Sequence, residues 1–167
     1  GMLALGARTG YDIKASVDQS TRFFWAASYG QIYPELRRLE ESGLVDGKSS
    51  PTGARKRKEY TLTEAGRAEL LRWLQASAQM PELRDESLLK LFFADALPVE
   101  QALEQLRARR LDHEQFLALL REIETRAGED PPFMNLVLQY GIAYAEFNVA
   151  WCEAQETRLR NAAQEAA

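Results

Sequence analysis

Apolar residues recur at helical spacing along most of the chain, with one interruption in the first half where the period drops to two. Ile13 and Val17 lie four apart in the segment from Tyr11 to Val17, which predicts a short helix. Three consecutive aromatics follow, Phe23, Phe24 and Trp25, too apolar to be left entirely in water. Ile32, Leu36 and Leu39 then recur at spacings of four and three, a stripe that faces a core. Ser28 is placed to cap this second helix and Gly43 to end it. Pro34 falls in its early turns, where a missing amide donor is tolerable or adds a slight kink. From Leu44 the period changes: residues 47–53 form a turn-rich loop, and Lys58 to Leu62 alternates polar and apolar. That pattern predicts a two-stranded hairpin with a long tip. Thr63 can cap another helix, Glu64 complements its dipole, and Leu70, Leu71, Trp73 and Leu74 are expected to supply its buried face.

The remainder reads as helix throughout. Pro81 marks a joint, and the segment from Leu83 to Leu97 carries Leu88, Leu91 and Phe92 on one side. Pro98 sits where a first-turn proline belongs, so a helix of about eight turns is expected from Val99 to Ala127. Residues 128–132 are a hard break, and the last long helix is expected from Phe133 to about Arg160. Its Leu136, Tyr140, Ala143, Phe147, Ala150 and Ala154 keep near-heptad spacing, with Tyr144 and Trp151 beside them. An isolated helix cannot bury a stripe this long. The expected fold is mainly α: a winged helix-turn-helix with a two-stranded wing over residues 1–79, then a second domain of long helices over residues 80–167.

Composition narrows the class. Hydrophobic residues make up 46 % and charged residues 28 % of 167, an ordinary globular balance. No apolar run approaches the roughly 20 residues of a membrane span, and no secretory leader is legible at the start. A soluble protein of the reducing cytoplasm is expected. Cys152 is the only cysteine, which excludes an internal disulfide and a multi-thiolate zinc site. The net charge of −4 is unevenly divided: residues 1–80 hold 12 Lys/Arg against 9 Asp/Glu, and the other 87 hold 9 against 16. The positive half points to an anionic partner; the acidic half would repel that partner and has another task.

Catalytic chemistry finds few candidates. His113 is the only histidine and sits mid-helix among charges, as a solvated or interface residue does. Carboxylates such as Glu100 and Glu104 stand at helical spacing from arginines such as Arg107, as on solvated faces. No glycine-rich phosphate loop is present, and Cys152 beside Trp151 reads as a buried, inert thiol. No enzyme, metal or cofactor is expected. Binding to double-stranded DNA is better supported. Arg55, Lys56, Arg57 and Lys58 put four positive charges at the wing tip, where each phosphate neutralised releases counterions. The second helix offers Tyr29, Gln31, Tyr33, Arg37 and Arg38 near its start: an amide can read a base edge, and tyrosine hydroxyls can reach phosphates. Lys14 and Arg8 lie by the first helix, which flanks the backbone in this architecture. The competing readings are a charged loop that keeps a hairpin soluble, and core packing for Tyr29 and Tyr33.

The segments Gly10-Tyr11-Asp12-Ile13, Phe24-Trp25 and Tyr29-Gly30-Gln31-Ile32-Tyr33-Pro34, with Leu36, Arg38, Leu39 and Glu40, closely resemble PadR-family transcriptional regulators. The resemblance continues through Gly43-Leu44-Val45, the basic wing, and Tyr60 to Gly66, covering about residues 3–76. The helical half resembles the C-terminal domain called virulence-activator-like in that family, at Leu88 to Phe93, Tyr140-Gly141 and Trp151-Cys152-Glu153. The resemblance implies a homodimeric DNA-binding regulator, usually a repressor, that reads an inverted repeat and dimerises through its C-terminal helices. It places Tyr29, Gln31 and Tyr33 on the recognition helix and Arg55 to Lys58 on the wing. In some members small aromatic compounds relieve repression near the dimer interface, a role for which Trp25, Phe92, Phe147 and Trp151 are the candidates here. The family pattern has a full apolar helix ahead of Gly10; here only Met2 to Leu5 precede Gly6, about one turn, and Gly1 reads as a cloning remnant. Either the start is shortened or neighbouring helices cover the gap, and the departure counts against full DNA affinity. The rivals are a small-molecule-binding module and a protein-interaction module that keep the winged-helix fold.

Overall fold

Short elements with closed ends build the first part of the molecule. The computed structural model describes residues 1–50, 57–126 and 131–165, and it divides into two compact units, Gly1–Met80 and Pro81–Ala167. The sequence reading placed this joint one residue earlier.

In the N-terminal unit, helix α1 (Gly10–Gln19) opens on a reciprocal cap. The Thr9 hydroxyl accepts from the Asp12 amide at 3.1 Å, and the Asp12 carboxylate accepts from the Thr9 amide at 2.9 Å. A single 3₁₀ turn, Thr21–Phe23, leads to helix α2 (Tyr29–Glu41), which ends at Gly43 in the left-handed region with φ 67°. There the Leu44 amide reaches back to the Leu39 carbonyl at 2.9 Å, and the Gly43 amide to that of Glu40. Strands β1 (Val45–Ser50) and β2 (Arg57–Leu62) pair antiparallel, Val45 opposite Leu62 and Gly47 opposite Tyr60. The wing strand therefore runs on through residues 47–50, where a loop was expected; residues 51–56 lie outside the described residues. Thr63 starts helix α3 (Glu64–Gln75): its hydroxyl accepts from the Gly66 amide at 3.0 Å and donates to the Gly43 carbonyl at 2.8 Å.

Ile32, Leu36, Val45 and Tyr60 form the core of this unit, flanked by Leu3, Ile13, Ala27, Leu39 and Leu62. Each such side chain fully buried contributes about 1.5–3 kcal/mol. The stripe expected on α2 is thus the one that is buried. The stripe expected on α3 is not: Leu71, Trp73 and Leu74 are exposed, Trp73 at 67 %, and only Gly66 of that helix is fully buried. The reason is geometric, because α3 meets the rest of the unit at its first turns and then runs clear of it. Phe24 and Trp25 are also exposed, against the expectation from their apolarity.

In the C-terminal unit the helix expected over 83–97 is shorter. It is helix α4 (Glu86–Phe92), capped by Asp85, then a 3₁₀ turn over Ala94–Ala96. Phe92, expected on its inner side, is 79 % exposed, whereas Leu88 and Leu91 are half-buried. Helices α5 (Val99–Arg126) and α6 (Pro132–Glu165) form an antiparallel hairpin. Its direction is set by cross-pairs running opposite ways: Arg110 with Glu156, Arg109 with Asn148, Arg121 with Glu146, Gln139 with Glu124. Leu103, Leu106 and Leu120 of α5 are buried, as are Ile142, Ala145 and Cys152 of α6. Tyr140 and Phe147 are exposed, so the near-heptad stripe of α6 points away from α5, and a second face carries the hairpin contact.

That contact is partly polar. The Arg109 guanidinium is buried and donates to Asp85 and Asn148, both at 2.7 Å, and to the Ser87 hydroxyl. Its Nε has no partner among the described residues. Burial alone would raise the Asp85 carboxyl, but hydrogen bonds from Ser87, the Leu88 amide and Arg109 outweigh it and hold it at about 2. Buried Glu156 accepts from Arg110 at 3.0 Å and from Arg160 at 3.2 Å.

Candidate nucleic-acid interface

The exposed side of α2 begins with its own cap. The Ser28 hydroxyl and the Ser28 amide both donate to the Gln31 Oε1, at 3.1 and 2.9 Å. The Gln31 side-chain carbonyl is therefore committed to the helix start, and its amide nitrogen is the end left to donate outward. A free adenine reader needs both ends of the amide. Tyr29 and Tyr33, one turn apart, stack with ring centroids 6.0 Å apart and stand half in solvent. Tyr33 also packs over Gly10: a Cβ there would come within 2.6 Å of its ring, so glycine at the start of α1 lets the tyrosine lie down. Neither ring belongs to the buried cluster of the unit: Tyr33 lies over Gly10, and Tyr29 lies over Tyr33.

The basic residues divide into occupied and free. Lys14 is paired with Asp18, and Arg38 with Glu35 at 2.9 Å. Lys58 donates to Glu40 at 2.6 Å and lies 5.5 Å from the Tyr60 ring centre. The Glu40 carboxylate, by that hydrogen bond first, holds the Lys58 ammonium above its ordinary range. Arg37 is exposed and makes no ion pair among the described residues. Arg55 and Lys56 lie outside the described residues; Arg57 belongs to β2, in register with Ser50, and its side chain lies outside them too. The structure thus brings Tyr29, Gln31, Tyr33 and Arg37 onto one helix, with the wing strands packed against it through Val45 and Tyr60.

The four aromatics considered for an effector are divided between the two units. Trp25, 75 % exposed, belongs to the N-terminal unit; Phe92, Phe147 (65 % exposed) and half-buried Trp151 belong to the C-terminal unit. The C-terminal unit has a half-open recess of about 260 Å³, lined by Leu91, Ala94, Asp95, Leu97, Val99, Ala102 and Leu159, none of them among those four. His113 is half-buried, edge-on to Tyr144, with its imidazole held below the ordinary range by burial and then by Arg109. Cys152 is fully buried, and burial pushes its thiol up. No group of three or more metal-ligating side chains is found among the described residues, and no helix there is long and apolar enough to cross a membrane.

Two arrangements escaped the sequence reading. Glu40 and Lys58 are eighteen residues apart on different elements, and no spacing links them. Arg109 and Asn148 did leave a signal, since each interrupts an apolar stripe: Leu103, Leu106, Arg109 at steps of three, and Ala145, Asn148, Cys152 at steps of three and four.

Residues 1–72 match the family model for the transcriptional regulator PadR-like family, and residues 83–160 that for the virulence activator alpha C-terminal domain. The chain is 32 % identical to the negative transcriptional regulator PadR of Bacillus subtilis, over 92 % of its own length and 91 % of the relative's. The chain belongs to the PadR-like family of transcriptional regulators. Among solved structures of the family, it superposes on Bacillus subtilis PadR in complex with operator DNA with a TM-score of 0.84, at 29 % identity, covering 94 % of this chain and 95 % of that one. It also matches the same protein in complex with p-coumaric acid, with a TM-score of 0.77 at 28 % identity and 95 % coverage of both chains. PadR-like proteins regulate transcription and are not enzymes, which agrees with the poverty of catalytic groups in the sequence. The winged helix-turn-helix with a two-stranded wing is the fold expected from the periodicity.

Proposed function

We propose that this PadR-like regulator is a cytoplasmic repressor that binds an inverted-repeat operator as a homodimer. In this reading α2 enters the major groove and presents Tyr29, Tyr33, Arg37 and the Gln31 amide nitrogen. Arg55, Lys56 and Arg57 reach the backbone from the wing. Lys14 stands beside the backbone, its charge partly spent on Asp18. The single observation that carries the reading is that Tyr29, Gln31, Tyr33 and Arg37 are all exposed along α2, the helix whose inner face packs on the wing strands. The likeness to an operator-bound relative supports it.

Dimerisation falls to the C-terminal unit. Tyr140 and Phe147 leave α6 with an exposed apolar face at heptad spacing, and a second copy related by a two-fold axis would cover it. The two α2 helices would then meet half-sites about 34 Å apart. A small aromatic acid is the proposed effector class, on the strength of the relative's p-coumaric acid complex, the exposed aromatics Trp25, Phe92 and Phe147, and half-buried Trp151. It lifts repression if it binds unequally to the DNA-spaced and relaxed arrangements of the dimer.

The test is a salt series of binding to the DNA upstream of the chain's own gene, against scrambled DNA of equal length. Selective binding with a steep negative slope in log salt is expected, and p-coumaric acid is expected to weaken it. Equal, weak binding to both fragments would sink the reading. Sedimentation reads the dimer separately: Phe147→Glu should shift it toward monomer, and a parent chain that is monomeric at every concentration would favour a protein-interaction module.

A further inference from the structure

Glu40 sits at the far end of α2 from the DNA-facing tyrosines, and its carboxylate lies against the wing. One oxygen, Oε2, accepts from the Lys58 ammonium of β2 at 2.6 Å. The other, Oε1, lies only 2.5 Å from where a Cβ on Gly47 of β1 would stand, and the same Cβ would strike the Lys58 side chain. Gly47 pairs with Tyr60, and Lys58 is two residues from Tyr60, so all three share the sheet face turned to α2. Tyr60 is buried with Ile32 and Leu36, and its amide donates to the Arg8 carbonyl at 2.7 Å. The base of the wing is therefore held at three points: the apolar core, the segment before α1, and the ion pair over Gly47.

We propose that Glu40 and Lys58 form a clasp, seated in the space that Gly47 leaves open, which fixes the angle of the wing on the recognition helix. Lys58 is then a positioning residue, and phosphate contact falls to the other wing cations. The clasp rests on the DNA-reading role proposed above for α2 and the wing. Its consequence is selectivity: a specific complex needs helix and wing to engage together, whereas non-specific binding tolerates a wing at any angle.

The sign of one substitution separates the clasp from simple electrostatics. Glu40→Gln removes a negative charge from the DNA-binding unit, so charge alone would tighten binding to any DNA. The experiment takes the parent protein and enriches duplexes from a random-sequence pool. Dissociation constants are then measured for parent and variants on the enriched duplex and on an unselected duplex of equal length. The folded fraction is matched by thermal melts. Glu40→Gln should bind the enriched duplex about 5-fold more weakly per protomer, the upper range for a half-exposed ion pair, and bind the unselected duplex at least as well. Lys58→Met should show the same loss of selectivity with an unchanged salt slope; a slope shallower by about 0.9 would make Lys58 a phosphate contact and overturn the proposal. The exchanged pair, Glu40→Lys with Lys58→Glu, should restore selectivity, and it decides the matter if either single variant fails to fold. Undiminished binding of Glu40→Gln to the enriched duplex also overturns the clasp. A parent chain that enriches no sequence would instead refute the DNA-reading role itself, so the two failures are distinct.

Discussion

The two units of this chain solve the same problem in opposite ways. The N-terminal unit buries a small, apolar core and keeps its polar groups at the ends of elements, where Thr9, Ser28 and Thr63 close helices. The C-terminal unit pairs two long helices and buries Arg109, Asn148 and Glu156 between or beside them, while Tyr140 and Phe147 face outward. The difference follows from how alignment is fixed. A turn, a cap or a hairpin sets the alignment of short elements, but two helices of 28 and 34 residues with aliphatic stripes could slide by a turn at little cost. A buried guanidinium with an assigned carboxylate and amide cannot slide, because each displaced partner would leave a desolvated polar group. The polar contact gives the hairpin one alignment and frees the aromatic face of α6 for another surface.

That contrast can be broken most forcefully at Arg109. Arg109→Ala leaves Asp85 and Asn148 without their partner and should destabilise the C-terminal unit by about 3–5 kcal/mol. Faster amide hydrogen exchange confined to α4, α5 and α6 would show it. Arg109→Leu combined with Asn148→Leu should cost clearly less than Arg109→Ala alone. A larger loss for the pair would mean that the polar groups contribute net stability rather than alignment.

The corresponding cut in the N-terminal unit is Leu36→Ala, at a side chain only 3 % exposed. Loss of its burial and the cavity left behind should cost about 2–4 kcal/mol. Here the faster exchange should fall in α1, α2 and β1, with α6 unaffected.

Acid offers a gentler probe of the polar side. The Asp85 carboxyl is held at about 2 against an ordinary 3.8. A folded-state value below the unfolded one gives stability that is fully present above the unfolded value and is lost as pH falls through the folded one. The C-terminal unit should therefore lose about 1–2 kcal/mol between roughly pH 5 and pH 2, and Asp85→Asn should flatten that limb of the denaturation profile. An unchanged limb would remove Asp85 from the account. The smallest effect belongs to a cap: Thr63→Ala gives up the bonds to Gly66 and Gly43 and should cost about 1 kcal/mol, read by chemical denaturation.

Much of the fold was legible because its signals are local. The stripe of Ile32, Leu36 and Leu39, the caps at Ser28 and Thr63 and the stop at Gly43 each depend on neighbours within a turn or two, and each predicted its element. The alternation from Lys58 to Leu62 announced the wing by the same logic. Periodicity also marked apolar faces without telling what covers them. It assigned burial to Leu71, Trp73 and Leu74, which are exposed, and it found the Tyr140 and Phe147 stripe while the hairpin contact went to Ile142, Ala145 and Cys152.

The candidate interface divides along the same line. Its helix and the identity of Tyr29, Gln31, Tyr33 and Arg37 follow from the chain alone. Which of its cations are spent divides by range: Lys14 meets Asp18 one helical turn on, whereas Lys58 looks free in sequence and only the folded chain brings Glu40 against it. By itself, then, the sequence determined the elements, their order, the winged-helix outline and the family, because short-range spacing and capping encode these. Tertiary structure alone decided which apolar face is inside and that Glu40 neutralises Lys58. Those depend on groups carried by different elements, which meet at contact or hydrogen-bond distance only once the chain has folded.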